Sequence, residues 1–229
     1  MKKHIPNTLT CLNLLSGCMG LVWAFEQHLS WAAYAIVLSA IFDFLDGMVA
    51  RLLKAYSDIG KELDSLADVV SFGVLPAIIV FQLFKQSGTN SLWLPYLAFL
   101  IAIFSALRLA KFNVDTRQAE SFIGLPTPAN ALLLGSFPLI IANDEFGIGA
   151  VIQQPYVLAV FCIMMSALLV AELPLLSLKF KHWSIKGNEF RFGLIILSVL
   201  LLLMLKFAAI PFIIGVYIFL SMIQTQFKK

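Results

Sequence analysis

Four aspartates lie close together in a chain that is otherwise rich in leucine, phenylalanine and alanine. The stretch DFLDGMVARLLKAYSDIGKELDSLAD carries them as two pairs, Asp43 with Asp46 and Asp64 with Asp68. Residues three or four positions apart share one face of a helix, so each pair can point in one direction. An unpaired carboxylate in an apolar medium costs on the order of 3 kcal/mol. A ligand that compensates these charges is therefore expected.

The residues around the aspartates suggest which ligand. All-oxygen ligands, with no Cys or His nearby, favour Mg²⁺ or Mn²⁺ over Zn²⁺. Two such ions on four carboxylates suit phosphoryl transfer, because they can clamp the attacking and leaving oxygens. Gly47 would let a diphosphate approach the helix backbone, and Arg51 could bind two phosphate oxygens. Gly60 would allow the second and third helices to pack closely.

The composition predicts an integral membrane protein. Of 229 residues, 60% are hydrophobic and 13% are charged, with a mean hydropathy of +0.91, whereas soluble domains carry about 25% charged residues. Spanning helices need about 20 apolar residues. We predict eight, at about 7–26, 30–54, 59–84, 92–113, 125–142, 154–178, 191–206 and 208–226. The predicted fold is all-α, a single membrane domain over 1–229, and no nucleic-acid partner is expected.

The basic residues predict the topology of these helices. Alternate connections hold the cations Lys2, Lys3, Arg51, Lys54, Lys61, Arg108, Lys111, Arg117, Lys179, Lys181, Lys186, Arg191, Lys228 and Lys229. The intervening connections hold only Lys85 and Lys206. Because cytoplasmic loops are enriched in Lys and Arg, we expect both termini and the aspartates at the cytoplasmic face of a bacterial inner membrane. Both aspartate pairs reach similar depths there, so the four carboxylates should meet across two adjacent antiparallel helices.

The same residues resemble the signature of a known family. The pattern Asp-x2-Asp-Gly-x2-Ala-Arg, eight further residues and Gly-x3-Asp-x3-Asp is similar to that of the CDP-alcohol phosphotransferases. The resemblance implies that Asp43, Asp46 and Asp64 hold one divalent ion and that Asp43, Asp64 and Asp68 hold a second. It also implies that Asp68 is the general base and that the enzyme is a homodimer. The implied contacts with the CDP moiety are Gly47, Arg51, Ser57, Asn7 and Thr10.

Two later segments resemble one branch of this family, the phosphatidylserine synthases. They are ALRLAKFN at 106–113 and GLPTPAN at 124–130. The resemblance implies transfer of the phosphatidyl group from CDP-diacylglycerol to L-serine within the lipid bilayer. Arg108 and Lys111 are candidates for binding the serine carboxylate. The predicted serine site also includes Pro126, Thr127 and Pro128.

Each serine-site assignment has a structural alternative. Arg108 and Lys111 can serve as cytoplasmic anchors, and the two prolines can mark an ordinary helix start. Asp115 and Glu120 are candidates for binding the serine ammonium without further support. Among the implied contacts with the CDP moiety, Asn7 and Thr10 can likewise be helix caps.

Other functions stay open at this point. The same chemistry could use glycerol 3-phosphate, inositol phosphate or choline, since Arg108, Lys111 and Arg117 could form a basic pocket for a phosphorylated acceptor. An ether-lipid donor is also compatible with the sequence. A cation-coupled transporter is a third reading, because acidic residues within a membrane often mark ion pathways. Gly47 and Arg51 have no evident role in such a transporter.

Overall fold

The computed structural model describes residues 4–115, 122–175 and 188–227, and almost all of these residues are helical. The α-helices are α1 (His4–Phe25), α2 (Leu29–Leu53), α3 (Asp58–Asp68), α4 (Leu75–Gln86), α5 (Phe99–Val114), α6 (Thr127–Ala142), α7 (Ile148–Ile152), α8 (Pro155–Val170), α9 (Glu189–Leu205) and α10 (Ala209–Phe227). A π-helical segment, Val69–Val74, joins α3 to α4. Short 3-10 helices lie at Leu94–Ala98, Glu145–Gly147 and Lys206–Ala208. Two short strands, β1 (Phe122–Ile123) and β2 (Pro174–Leu175), pair antiparallel.

Several of these boundaries follow from local sequence chemistry. Ser57 caps α3, because its Oγ accepts a hydrogen bond from the Gly60 amide at 3.1 Å, as expected at a helix N-terminus. Pro128 lies in the first turn of α6, where its missing N–H is not needed. The predicted proline turn at the start of the fifth apolar segment is therefore present. Lys206, with φ 50° and ψ −125°, interrupts the helical run between α9 and α10.

The apolar helices agree with the predicted class of fold. Four helical segments within the described residues are long and apolar enough to cross a membrane: His4–Phe25, Asp58–Gln86, Leu94–Val114 and Glu189–Ile223. A fifth is added if the pair Thr127–Ala142 and Glu145–Ile152, bent by 110°, counts as one span. An all-α polytopic membrane protein is thereby confirmed. Each predicted apolar segment overlaps a helix, but the number of eight spans is not confirmed.

The core forms around the π-helical segment and α4. Phe72, Leu75, Ile79 and Phe84 are fully buried there. α1 packs along α2 and also against α3, the π-helical segment and α4. The two aspartate helices do bring carboxylates together, as predicted, but a helix that the prediction did not place there takes part as well. The first helix lies against both of them, and its polar side chains join the site.

Candidate active site

Three of the four aspartates form one cluster. Asp43 on α2 and Asp64 and Asp68 on α3 each offer one carboxylate oxygen, and these oxygens all lie within 4.8 Å of one another. Asp68 is the most enclosed of the three, with 7% of its surface exposed. Carboxylates at this separation in a poorly hydrated site repel one another unless a cation or proton lies between them.

Asp46 lies outside this cluster. Its Oδ2 accepts a hydrogen bond from the Thr10 hydroxyl of α1 at 2.6 Å, and the carboxylate is buried. The structure therefore groups three of the four predicted ligands and gives the fourth a partner on the first helix. A role for Asp46 in metal binding stays a prediction.

The oxygens of the cluster suit a hard divalent cation. Asp64 Oδ1 and Asn13 Oδ1 are buried and have no hydrogen-bond partner among the described residues. Buried polar atoms almost always have a partner, and Mg²⁺ and Mn²⁺ take carboxylate and carbonyl oxygens as ligands. The residues present therefore fit the predicted divalent ions, and neither ion is distinguished from the other.

A cavity of about 210 Å³ opens beside the cluster. Asp46 and Asp64 line it, together with four of the five residues predicted to contact the CDP moiety: Asn7, Thr10, Gly47 and Ser57. A Cβ atom at Gly47 would meet no other atom within 4 Å, so the helix backbone is open to the cavity at this point. The cavity thus has room for a phosphate group against the backbone of α2.

Arg51, the fifth predicted contact, is exposed and is not part of the cavity lining. Its Nε donates a hydrogen bond to the Gly47 carbonyl oxygen at 2.9 Å, one turn earlier on α2. Lys61, which the sequence reasoning did not place in this site, lines the cavity instead. Its Nζ donates to the Asn113 carbonyl oxygen of α5 at 3.1 Å.

Gly60 has a different role from the one expected. A Cβ there would lie 3.0 Å from Asn7 Oδ1 and 2.9 Å from Ser57 Oγ. Such contacts are too close for a carbon atom, so the missing side chain makes room for Asn7 of α1. Gly60 therefore permits close packing of the third helix on the first rather than on the second.

A second cavity, of about 260 Å³, has a mixed-charge lining. Arg108, Lys111, Asp115 and Glu172 contribute to it. Arg108 and Lys111 thus share one cavity, as the serine-site prediction requires. Glu120 and Arg117, which were also considered for acceptor binding, lie outside the described residues.

Arg108 is unusual because its charge is buried. Only 6% of its surface is exposed, and its Nη1 donates to the fully buried Thr127 hydroxyl at 3.5 Å. Its Nε has no hydrogen-bond partner in the described ranges. Asp68 and Tyr217 lie close enough to interact electrostatically with the guanidinium. An interfacial anchor would keep its charged end in water, so the anchor reading does not fit Arg108, although it still fits the exposed Lys111.

The turn before α6 brings Glu172 to this cavity. Gly124 has φ +79°, and its amide donates to the Leu173 carbonyl oxygen at 3.0 Å. A Cβ at Gly124 would lie 2.5 Å from the Leu169 carbonyl oxygen, so only glycine fits there. The Gly-Leu-Pro-Thr-Pro turn therefore packs against the end of α8, directly before Glu172. Pro126 and Pro128 flank Thr127 at the start of α6.

The sequence reasoning missed Asn13, Glu172 and Tyr217 as well as Lys61. Asn13 follows Thr10 by three residues and Asn7 by six, so a polar stripe along α1 was a usable signal. Glu172 and Tyr217 come to Arg108 from distant parts of the chain. No local pattern marks either residue.

Residues 3–171 match the family model described as CDP-alcohol phosphatidyltransferase. The chain belongs to this family. The resemblance in the signature 43–68 is thereby confirmed, and the protein is an enzyme rather than a cation-coupled transporter. α9 and α10 follow the matched residues, so a single domain over 1–229 stays a prediction.

Relatives of the chain carry similar names in several organisms. It is 31% identical over 225 residues to the CDP-diacylglycerol--serine O-phosphatidyltransferase of Helicobacter pylori (strain ATCC 700392 / 26695), which covers 97% of this chain and 91% of that protein. The Bacillus subtilis (strain 168) protein of the same name is 34% identical over 155 residues, 64% of this chain and 84% of its own. The archaetidylserine synthase of Methanothermobacter thermautotrophicus is 38% identical over 138 residues, 59% of this chain and 58% of its own.

Proposed function

We propose that this enzyme transfers the phosphatidyl group of CDP-diacylglycerol to the hydroxyl of L-serine, giving phosphatidylserine and CMP. The observation that carries the proposal is the buried Arg108, which is bonded to Thr127 and lies within electrostatic reach of Asp68. It offers an anion-binding group close to the proposed base. The names of the Helicobacter and Bacillus relatives support the same donor and acceptor.

The donor would occupy the cavity beside Gly47. Asn7, Thr10 and Ser57 line it with polar groups that can contact the cytidine and phosphate moieties. Arg51 lies one turn beyond Gly47 and would need only a side-chain rotation to reach a phosphate oxygen. The acyl chains would remain in the bilayer. Exposed apolar side chains such as Leu52 and Phe44 would face the same lipid.

Asp43, Asp46, Asp64 and Asp68 would hold two Mg²⁺ or Mn²⁺ ions, as the family resemblance implies. When bound, these ions neutralise negative charge on the diphosphate and on the departing CMP. The Thr10 hydroxyl donates to Asp46, and the Asn13 amide donates to Asp68. Side chains of α1 therefore contact the carboxylates on the other two helices.

Asp68 would act as the general base. It accepts the proton of the serine hydroxyl while the serine oxygen attacks the β-phosphorus of the donor. A bond forms between that oxygen and phosphorus, and the bond from phosphorus to the CMP oxygen breaks. Lys61 and Arg51 offer positive charge near the departing CMP, since Lys61 lines the donor cavity and Arg51 is bonded to the Gly47 carbonyl oxygen.

The mixed charge of the second cavity favours a zwitterionic acceptor. Arg108 and Lys111 would bind the serine carboxylate, with Thr127, Pro126 and Pro128 shaping the wall behind Arg108. Asp115 and Glu172 supply negative charge for the ammonium group. Glycerol 3-phosphate or inositol phosphate would bring excess negative charge to these acids, and choline would leave Arg108 without an anion. An ether-lipid donor stays an alternative, since one relative is named archaetidylserine synthase.

We also infer a cytoplasmic active site in a bacterial inner membrane, from the distribution of basic residues in the sequence. A homodimer is proposed from the family resemblance alone. Several of the cations behind the topology, namely Lys2, Lys3, Arg117, Lys179, Lys181, Lys186, Lys228 and Lys229, lie outside the described residues.

An acceptor panel tests the proposal. CMP release from CDP-diacylglycerol would be measured with purified protein and Mn²⁺ or Mg²⁺, comparing L-serine, glycerol 3-phosphate, inositol 1-phosphate and choline. We expect release with serine alone. Release only with another acceptor would retain the aspartate chemistry and overturn the reading of the Arg108 cavity.

A further inference from the structure

Asn13 occupies a central position between the helices that carry the aspartates. Its side chain is fully buried, and its Nδ2 donates a hydrogen bond to Asp68 Oδ1 at 3.1 Å. Its backbone carbonyl oxygen accepts hydrogen bonds from Ser39 Oγ of α2 and from Ser71 Oγ of the π-helical segment, each at 3.1 Å. Asn13 is therefore held by elements on both sides of the cluster.

The orientation of the Asn13 amide follows from its partner. An ionised carboxylate can only accept hydrogen bonds, so the amide nitrogen must face Asp68. This leaves Asn13 Oδ1 buried and without a partner in the part of the chain that the structure describes. A buried oxygen without a hydrogen-bond partner destabilises the folded protein. A bound cation or a substrate donor would supply the missing partner.

We infer that Asn13 is a positioning residue for Asp68, an inference that rests on the proposed function for the role of Asp68 as base. The χ2 angle of an aspartate, which sets the orientation of its carboxylate, has a broad range. The hydrogen bond from the Asn13 amide to Oδ1 narrows this range for Asp68. Oδ2 is then the atom that faces the reaction. The hydroxyls of Ser39 and Ser71 bond to the backbone carbonyl oxygen of Asn13 and so hold this part of α1 in place beside Asp68.

The backbone of Asp68 adds a reason why such a bond is needed. α3 ends at Asp68, and the π-helical segment begins at Val69. A π-helical turn changes the hydrogen-bond register of the helix, and such turns are frequent at functional sites. An aspartate at this junction gains a fixed direction from a side-chain bond to a neighbouring helix.

A double-mutant cycle tests the inference. Mn²⁺ affinity would be measured by titration of purified protein carrying Asn13→Leu, Asp68→Asn or both changes. Loss of a residue that orients a metal ligand typically lowers metal affinity about 10–100-fold. We expect a loss in this range for Asn13→Leu alone, and no further loss when it is added to Asp68→Asn. Equal losses in both backgrounds would show that Asn13 does not act through Asp68 and would overturn the inference.

Steady-state kinetics at saturating Mn²⁺ give a second readout. Misplacement of a catalytic group by about 1 Å can cost about 100-fold in rate. We therefore expect Asn13→Leu to lower kcat about 100-fold and to leave the KM values for both substrates nearly unchanged. A rise in KM with normal kcat would contradict the positioning role.

Ser16→Ala is the matched control, because Ser16 lies on the same helix and, among the described residues, donates to the Leu12 carbonyl oxygen rather than to an aspartate. It should leave Mn²⁺ affinity and kcat unchanged. If Asn13→Leu does not fold, Asn13→Ala replaces it in the same cycle. Failure of the proposed function is separable, because the Mn²⁺ cycle needs no substrate, and any acceptor that releases CMP can be used for the kinetics.

Discussion

Arg108→Gln should weaken serine binding far more than donor binding. In the proposed complex the serine carboxylate pairs with a guanidinium that has only 6% of its surface exposed. Removing one partner of a buried charge pair costs about 3–5 kcal/mol, because the remaining charge loses its compensation. At about 1.4 kcal/mol for each factor of ten, the lower figure corresponds to roughly a 150-fold rise in the KM for serine.

Lys111→Gln is the matched control for the Arg108 experiment. Lys111 lines the same cavity but is exposed, and exposed ion pairs contribute about 0–1 kcal/mol. Its loss should raise the serine KM by no more than about fivefold. Arg108→Lys should recover only part of the lost affinity, because an ammonium cannot reproduce the planar pair of donors.

The assay measures CMP release in two series. The first varies serine at saturating CDP-diacylglycerol, and the second varies CDP-diacylglycerol at saturating serine. Thermal unfolding of each variant controls for loss of structure. Ethanolamine, which lacks the carboxylate, should be as poor an acceptor for Arg108→Gln as for the unchanged enzyme. An unchanged serine KM in Arg108→Gln, or an equal rise in the donor KM, would refute the assignment of Arg108 to the serine carboxylate.

Three other predictions address the donor cavity, the base and the turn before α6. Gly47→Ala should raise the donor KM, while the unfolding temperature stays level or increases. The new Cβ meets no protein atom, and alanine is the better helix former by about 1 kcal/mol. A lower unfolding temperature would contradict this prediction. Asp68→Asn should abolish CMP release and retain binding of CDP-diacylglycerol, as measured by equilibrium binding; full activity would remove its role as base. Gly124→Ala should lower the unfolding free energy by more than Gly88→Ala does. Both glycines have positive φ, but only at Gly124 would a Cβ lie within 2.5 Å of a carbonyl oxygen. Equal losses of unfolding free energy for the two variants in denaturant titrations would refute the steric argument.

Local spacing predicted part of the site correctly. The pairing of Asp64 with Asp68 on one helix face depends only on helical geometry, and both carboxylates do join Asp43 in one cluster. The membrane class followed from composition, and the family followed from the fixed pattern 43–68. In each case the decisive information lies in neighbouring residues or in residue types.

Contacts between distant segments could not be predicted in this way. Thr10 was predicted to contact the CDP moiety and Asn13 was given no role, whereas they bond to Asp46 and Asp68 across 36 and 55 positions of sequence. No local sequence pattern predicts the π-helical segment after Asp68, and Gly60 packs against the first helix, whereas packing against the second helix was predicted for it. Such features depend on which helix packs on which, and apolar periodicity does not specify that choice.

Incorporation of labelled L-serine into lipid tests the central claim most directly. Purified protein would be incubated with CDP-diacylglycerol, Mn²⁺ and radiolabelled serine, and label in the extracted lipid would be compared with the CMP released. We expect equal amounts of labelled phosphatidylserine and CMP, with both lost on addition of EDTA and restored by excess Mn²⁺. CMP release without label in the lipid, or full incorporation in EDTA, would contradict serine transfer at a metal-dependent aspartate site.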